Sequence, residues 1–146
     1  MTSLYQSMVL NAVKDALNSV RETLELPLVR VDELNTQGDS ASVGIEEGSG
    51  SIERLSDCTG TAMHGVLRIS LVYRVMQSVV GSDDLKYATI LDNAYQYLRQ
   101  NYKSIDLTNA FIDSVSQPSG AVLSAIYQGG VKDFKTIVVV EYERRV

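Results

Sequence analysis

The stretch from Leu67 to Val75 reads Leu-Arg-Ile-Ser-Leu-Val-Tyr-Arg-Val, and it decides the fold. Every odd position in it is apolar, whereas Arg68, Ser70 and Arg74 occupy even positions. A period of two places the apolar side chains on one face of a β-strand. The pattern therefore predicts a long strand, Val66–Met76, with one buried face.

Strand patterns continue towards the C-terminus. They predict three strands: Phe111–Ser116, Val122–Gln128 and Phe134–Glu143. The connections Pro118-Ser119-Gly120 and Gly129-Gly130 are typical of tight turns, which favour antiparallel pairing among these three strands.

The last of these strands is apolar on both faces. Phe134, Thr136, Val138, Val140 and Tyr142 share one face, but Ile137 and Val139 lie on the other. An exposed β-forming strand favours aggregation unless a partner covers it. We therefore expect an oligomer, with Val139 in a subunit interface.

Two helical patterns flank the Leu67–Val75 strand. The first has an apolar stripe of Leu4, Met8, Ala12, Ala16, Val20 and Leu24, widened by Val9, Val13 and Leu17. Ser3 and Gln6 have the spacing of a capping box, and Pro27 predicts the end of this helix.

The second helix is predicted to begin after Ser82, with Asp83 and Asp84 in its first turn. Its expected buried stripe is Leu85, Ala88, Leu91, Tyr95, Leu98 and Tyr102. Tyr87 and Tyr97 fall outside that stripe. Because tyrosine is enriched in subunit interfaces, we expect Tyr87 and Tyr97 to contact a neighbouring subunit.

The N-terminal half adds predicted strands at Leu28–Glu33 and Val43–Glu47, followed by an unpatterned loop, Gly48–Gly65. The order of elements predicts an α+β fold with two layers. In it, two α-helices pack on one face of a mostly antiparallel or mixed β-sheet, beside a long unpatterned loop. The length of 146 residues fits a single domain, 1–146, and we see no internal repeat.

Composition excludes several classes of protein. The 13 Lys and Arg against 18 Asp and Glu give a net charge of −5, which argues against a broad basic surface for nucleic acid. The longest aliphatic run, Ile137–Val140, is too short to span a membrane, and no secretory signal is evident. A single cysteine, Cys58, excludes an intrachain disulfide and fits a reducing compartment.

No pattern predicts catalysis, a cofactor site or a metal site. Cys58 and His64 lie in one predicted loop with no third residue to orient them, so we expect no nucleophilic pair. One Cys and one His are too few for a structural zinc site within one subunit. Gly48–Ser51 lacks the lysine and the following helix of a phosphate-binding loop. We therefore expect a protein that is not an enzyme.

The order of these motifs resembles the tail terminator proteins of long-tailed bacteriophages, often called minor capsid proteins. The motifs that carry the resemblance are Val43-Gly44-Ile45-Glu46-Glu47, Ile52-Glu53-Arg54-Leu55-Ser56-Asp57, the strand Val66–Met76, Tyr97-Leu98-Arg99-Gln100-Asn101-Tyr102 and Val139-Val140-Glu141-Tyr142-Glu143. The resemblance covers nearly the whole chain.

The resemblance implies a structural role in the virion. Such proteins form a homo-oligomeric ring, typically of six subunits, at the head-proximal end of the tail. The ring stops growth of the tail tube, contacts the tube protein and the head–tail connector proteins, and lets DNA pass. It implies neither enzymatic activity nor a cofactor, no membrane contact, and a location in the virion neck after assembly in the host cytoplasm.

Negative charge is concentrated in residues 30–57, which hold seven acidic residues and two basic ones. If this segment faces the ring opening, its charge would let DNA pass without binding. We assign five residues to the ring lumen or to a loop that docks on the tube: Glu46, Glu47, Glu53, Arg54 and Asp57.

Three alternatives stay open on the sequence alone. The first is another neck protein, such as a head-completion or stopper subunit. The second is a small oligomeric adaptor or inhibitor module. The third is a small-molecule enzyme with its site on the sheet, for which no converging polar residues are evident.

Overall fold

Two strands of fifteen residues each lie at the centre of a mixed β-sheet. The computed structural model describes residues 3–34, 38–46, 51–55, 62–76, 84–118, 124–128 and 130–145. The helices are α1 (Leu4–Ser19), α2 (Arg21–Leu24) and α3 (Asp84–Asn101), followed by a 3₁₀ turn at Tyr102–Ser104. The strands are β1 (Val29–Val31), β2 (Ser40–Ile45), β3 (Ile52–Leu55), β4 (Ala62–Met76), β5 (Ala110–Ser116), β6 (Ser124–Gln128) and β7 (Val131–Arg145).

The two long strands, β4 and β7, pair antiparallel over their whole length, from Ala62 opposite Arg145 to Met76 opposite Val131. β2 and β3 lie end to end along the free edge of β4, and β5 and β6 do the same along β7. β1 extends the sheet by parallel pairing with β2. The predicted α+β fold with a mixed sheet is confirmed.

The topology of the two halves is duplicated. A two-fold rotation about the central Ile69–Val138 pair would exchange β4 with β7, β3 with β6, and β2 with β5. Each half also begins with a long helix, α1 or α3. The duplication lies in the order and pairing of elements, which explains why no repeat is visible in the sequence.

One prediction about strand pairing is wrong. Short connections predicted that β5 and β6 would pair with each other, but both pair with β7 and follow one another along the same edge. The antiparallel β6–β7 hairpin is confirmed. Ser119 and Gly120 of the predicted first turn lie outside the described residues.

The predicted alternation of the long strands is confirmed. Between 0% and 6% of the surface is exposed for Leu67, Ile69, Leu71, Tyr73 and Val75 of β4 and for Phe134, Thr136, Val138, Val140 and Tyr142 of β7. The register of β4 with β7 places these two sets side by side on the face that the helices cover. This face is the core of the protein.

The capping box at the start of α1 is also confirmed. The backbone N–H of Gln6 donates to Ser3 Oγ at 3.0 Å, and the backbone N–H of Ser3 donates to Gln6 Oε1 at 3.1 Å. The helix ends at Ser19, well before Pro27, and the short α2 ends at Glu25 in the left-handed region, with φ 61°.

The buried face of α1 differs from the predicted stripe. Val9, Leu10, Val13 and Leu17 face the sheet, whereas Leu4 is 82% exposed and Ala12 and Ala16 are half-buried. The larger aliphatic side chains fill the space above the sheet better than alanines do. Val9, Val13 and Leu17 of the predicted stripe are therefore confirmed as buried, whereas Met8, Ala12 and Ala16 form a second apolar face that is only partly covered.

The predicted buried stripe of α3 is confirmed at Leu91, Tyr95 and Leu98 but is wrong in the first turns of the helix. Leu85 is 81% exposed, while Tyr87, Ile90 and Ala94 are buried. The ring of Tyr87 packs between Tyr73 and Phe134, with ring centroids 5.1 and 5.3 Å away. Tyr87 is therefore a core residue in this fold, and its prediction as a subunit contact is corrected.

A buried ion pair fixes the start of α3. The Lys132 side chain is 5% exposed, and its Nζ donates to both Asp84 carboxylate oxygens at 2.6 Å. The negative charge of Asp84, whose side chain is 44% exposed, supplies the partner that the buried lysine needs. This pair ties the first turn of α3 to β7 and so sets which helix face meets the sheet. Ser82 and Asp83 lie outside the described residues.

The predicted unpatterned loop Gly48–Gly65 contains regular structure. Residues 52–55 form β3 and residues 62–65 begin β4, so the prediction of a continuous loop is wrong. Strand β3 has four residues, too few to show a sustained period in the sequence. Residues 47–50 and 56–61 lie outside the described residues.

Glu53 of β3 joins the sheet to the helix layer. The Tyr142 hydroxyl donates to Glu53 Oε1 at 2.5 Å, and the Ser3 hydroxyl donates to the same oxygen. The Tyr142 ring reaches Glu53 by lying across Gly65, its partner on β4. A Cβ atom on Gly65 would lie inside van der Waals contact with that ring. Gly65 is therefore required for this link.

We expect Gly65→Ala to destabilise the fold. The added methyl group overlaps the buried Tyr142 ring, and overpacking of this kind costs about 1–3 kcal/mol. Urea unfolding measures the change in free energy. Gly38→Ala is the matched control, because its Cβ would have no atom within 4 Å. Equal stability of the two variants would contradict the close contact.

We also expect stability to fall in alkaline solution. Burial, with smaller contributions from Asp39 and Tyr87, raises the pKa of Tyr73 from 10.0 to about 12. Between these values the unfolded chain loses the proton and the folded chain keeps it, so unfolding becomes easier as pH rises, by about 2–3 kcal/mol. Urea unfolding from neutral pH to pH 12 measures this loss, and Tyr73→Phe should reduce it. If Tyr73→Phe lost stability with pH just as the parent does, the alkaline loss would not come from Tyr73.

Candidate functional site

The face of the sheet opposite α1 and α3 carries most of the charged side chains of the two long strands. We call it the helix-free face. It is formed by Arg54 of β3, His64, Arg68, Ser70, Val72 and Arg74 of β4, and Asp133, Lys135, Ile137, Val139, Glu141 and Glu143 of β7. Except for the exposed Arg54, these side chains are partly buried, so they cover one another rather than extend freely.

Two ion pairs lie on the helix-free face, one near its middle and one near the end of the β4–β7 ladder. Arg74 donates to both carboxylate oxygens of Asp133, its partner across the strands, at 2.7 and 2.9 Å. Arg68 Nε donates to Glu46 Oε2 at 2.7 Å. Hydrogen-bonded pairs of this geometry are stronger than simple contacts between ions. The arginines therefore already have anionic partners within the subunit.

One corner of the helix-free face is acidic. Asp113, Glu141 and Glu143 surround His64, whose Nδ1 lies 4.0 Å from Asp113 Oδ2 and whose Nε2 lies 3.7 Å from Glu141 Oε1. Desolvation and then repulsion from Glu143 raise the pKa of Asp113, and His64 offsets part of this rise. This corner can accommodate a positive charge.

A groove of about 520 Å³ lies in the helix layer, between α1 and the end of α3. The second apolar face of α1 supplies Met8, Ala12 and Ala16, and Tyr97 and Ile105 lie opposite. Polar residues such as Asn11 and Asp106 form its rim. An apolar floor with an aromatic side chain and a polar rim is typical of a protein-binding surface.

The structure brings three predicted site residues to one face. Glu46 is paired with Arg68 there, Arg54 lies opposite His64, and Val139 lies opposite Arg68. The sequence assigned Glu46 and Arg54 to a lumen or docking loop and Val139 to a subunit interface. Because the three residues share one face, we treat them as one surface.

The remaining predicted residues are elsewhere. Glu53 lies in β3 and bonds to Ser3 and Tyr142 on the helix side, so its assignment to a docking loop is wrong. Tyr97 lines the groove. Glu47, Asp57 and Cys58 lie outside the described residues, and His64 belongs to β4 rather than to a loop.

Sequence reasoning missed the residues that surround His64. Asp113 and Glu143 are far from His64 along the chain, and only strand pairing brings them together. The alternation of Arg68 and Arg74 with apolar residues was a usable signal for the polar face. A bulge in β5, between Ile112 and Ser114, places Asp113, and no sequence pattern indicated it.

None of the helices in the described part of the chain combines the length and the apolar character that crossing a bilayer requires.

Comparison with known proteins gives a likeness of structure only. No protein-family model and no curated protein matches the sequence. A chain from the virion of a native gene transfer agent particle is similar in structure, with a TM-score of 0.66. The similarity covers 94% of this chain and 96% of that chain, at 13% sequence identity. This chain therefore shares its whole fold with a protein of a gene transfer agent virion.

Proposed function

We propose that this chain is a structural subunit of a phage-like virion and acts there as a tail terminator. In this role a ring, typically of six subunits, ends the tail tube and joins it to the head–tail connector proteins. The observation that carries the proposal is the match to a gene transfer agent virion chain over nearly the full length of both chains. The order of motifs that resembles tail terminators supports the specific role.

The two surfaces of the subunit suit a ring. A closed ring with one contact per neighbour needs two different patches on each subunit. The groove is one such patch. A second is an exposed apolar cluster at the far end of the sheet, where Ile126 is 60% and Met76 is 38% exposed. These two side chains extend beside Val131 and Asp133 of β7.

We assign the groove with Tyr97 to the contact between neighbouring subunits. Its floor is apolar, and charged residues are depleted at the centre of stable interfaces. Ile126 and Met76 of the next subunit supply apolar side chains of matching character.

We assign the helix-free face, apart from its end at Ile126 and Met76, to the ring opening. It carries Glu46, Arg54 and Val139, and its arginines Arg68 and Arg74 are already paired with carboxylates. DNA binds proteins by exchanging its counterions for free cationic side chains. With Arg68 and Arg74 paired, the face offers DNA fewer free cations, so the genome can pass through the opening.

We expect the purified protein to form closed rings of about six subunits, by mass measurement and negative-stain microscopy. The rings should also stop growth of polymerising tail tube protein. A compact dimer would contradict the proposal and favour an adaptor. Rings that leave tube growth unchanged would favour a head-completion or stopper subunit.

A variant tests the groove in the same experiment. Ala16→Arg places a charged side chain in the apolar floor, so it should abolish rings and leave the unfolding temperature nearly unchanged. Asn93→Arg, on the exposed side of α3, adds the same charge and should form rings normally. Rings of normal size in Ala16→Arg would show that the groove is not the contact.

We expect the double variant Glu46→Gln/Asp133→Asn to bind DNA more tightly than the parent. The substitutions remove the carboxylate partners of Arg68 and Arg74. Two freed cations should make the slope of log K for DNA binding against log salt concentration more negative by about 2. Fluorescence anisotropy at several salt concentrations measures both quantities.

The matched control for this experiment is Glu22→Gln/Asp92→Asn, which makes the same charge change at exposed positions on the helices. Equal DNA binding by the two double variants would show that net charge alone matters. In that case the assignment of the helix-free face to the opening would fail.

A further inference from the structure

Three side chains with metal-binding atoms meet on adjacent strands at the acidic corner. They are His64 of β4, Asp113 of β5 and Glu143 of β7. One ligand atom from each lies within 4.8 Å of the other two. All three side chains are partly buried, so the backbone and neighbouring side chains restrict their positions.

Strand pairing and a bulge create this arrangement. His64 and Glu143 are direct partners across β4 and β7. In β5 the register shifts between Ile112 and Ser114, leaving Asp113 as the extra residue. Ile112 is buried beneath the helices, yet Ser114 bonds to Glu141 on the helix-free face. The bulge thus lets Asp113 and Ser114 serve the same face, a frequent use of bulges beside functional sites.

A second layer of residues orients the imidazole. Glu141 Oε1 lies 3.7 Å from His64 Nε2, and Glu141 Oε2 accepts a hydrogen bond from Ser114 Oγ at 2.8 Å. His64 Nδ1 faces Asp113 instead. Histidines that bind metals commonly use one ring nitrogen for the metal and donate the other N–H to a carboxylate. The Ser114–Glu141–His64 chain has the order of this arrangement, and a small rotation of the imidazole would bring Nε2, now 3.7 Å from Glu141 Oε1, within hydrogen-bonding distance.

We propose that His64 Nδ1, Asp113 and Glu143 bind a divalent transition-metal ion, with Zn²⁺ as the representative. Glu141 holds the imidazole in position, and water completes the coordination. One imidazole and two carboxylates form a donor set suited to Zn²⁺, whereas Mg²⁺ and Ca²⁺ prefer oxygen ligands alone. Zn–ligand distances of about 2.0–2.2 Å require small side-chain rotations, which partly exposed groups can make.

The site is independent of the proposed virion role. A count of one Cys and one His excludes a zinc site built from those residues alone, as in zinc fingers. It does not exclude a site that takes two of its three ligands from carboxylates on neighbouring strands. Such an ion would join β4, β5 and β7 at the end of the sheet and neutralise its acidic corner.

The test is calorimetric titration of Zn²⁺ into chelator-treated, tag-free full-length protein that carries Cys58→Ser. Removing the thiol excludes binding at the single cysteine. We expect saturable binding of one ion per subunit and a higher unfolding temperature with Zn²⁺, because an ion that binds the folded state stabilises it. Absence of saturable binding, or equally tight binding of Mg²⁺, would overturn the proposal.

Variants identify the ligands. His64→Gln, Asp113→Asn and Glu143→Gln should each weaken Zn²⁺ binding at least tenfold, on the order expected for loss of a ligand. Glu141→Gln should weaken it about tenfold with one ion still bound per subunit, because it removes only the orienting carboxylate. Asp92→Asn, on the exposed side of α3, should bind as the parent does.

Circular dichroism and unfolding in the chelator verify that each variant is folded. Since the four altered side chains are partly exposed, we expect native spectra. If His64→Gln and Glu143→Gln are folded and bind Zn²⁺ as tightly as the parent does, the assignment of ligands is wrong.

Discussion

The pairing of β4 with β7 along all fifteen positions is the constraint on which the rest of the structure depends. It aligns most of the apolar side chains of both strands on one face and most of the charged ones on the other. It also leaves one free edge on each long strand. Strands β2 and β3 lie end to end along the free edge of β4, and β5 and β6 along that of β7. A slip by one residue would move every side chain of one strand to the opposite face, so core and helix-free face would be lost together.

A few polar links, as well as apolar packing, fix the position of the helices on the sheet. Ser3 and Tyr142 meet at Glu53, and Lys132 holds Asp84 at the start of α3. Buried polar groups of this kind are costly unless paired, so they permit few alternative orientations of a helix. With α1 and α3 fixed by these links, a second apolar face of α1 is only partly covered, and this face lines the groove.

The two exposed surfaces differ in chemistry. The groove is apolar with an aromatic wall, whereas the helix-free face carries internally paired charges and ends in the acidic corner around His64. A ring subunit needs both kinds of surface, one for stable contact and one that a passing polyanion does not bind.

The sequence by itself determined every strand except β3, the capping box and the fold class, because alternation and capping are local patterns that survive into the structure. It also marked Glu46, Arg54 and Val139, which lie on one face. Only the tertiary structure decided that Tyr87 is buried, that Glu53 faces the helices and that Asp113 and Glu143 meet His64. The physical reason is that periodicity shows which side chains share a face. It does not show which of two adjoining helix faces is covered, or which distant strands become neighbours.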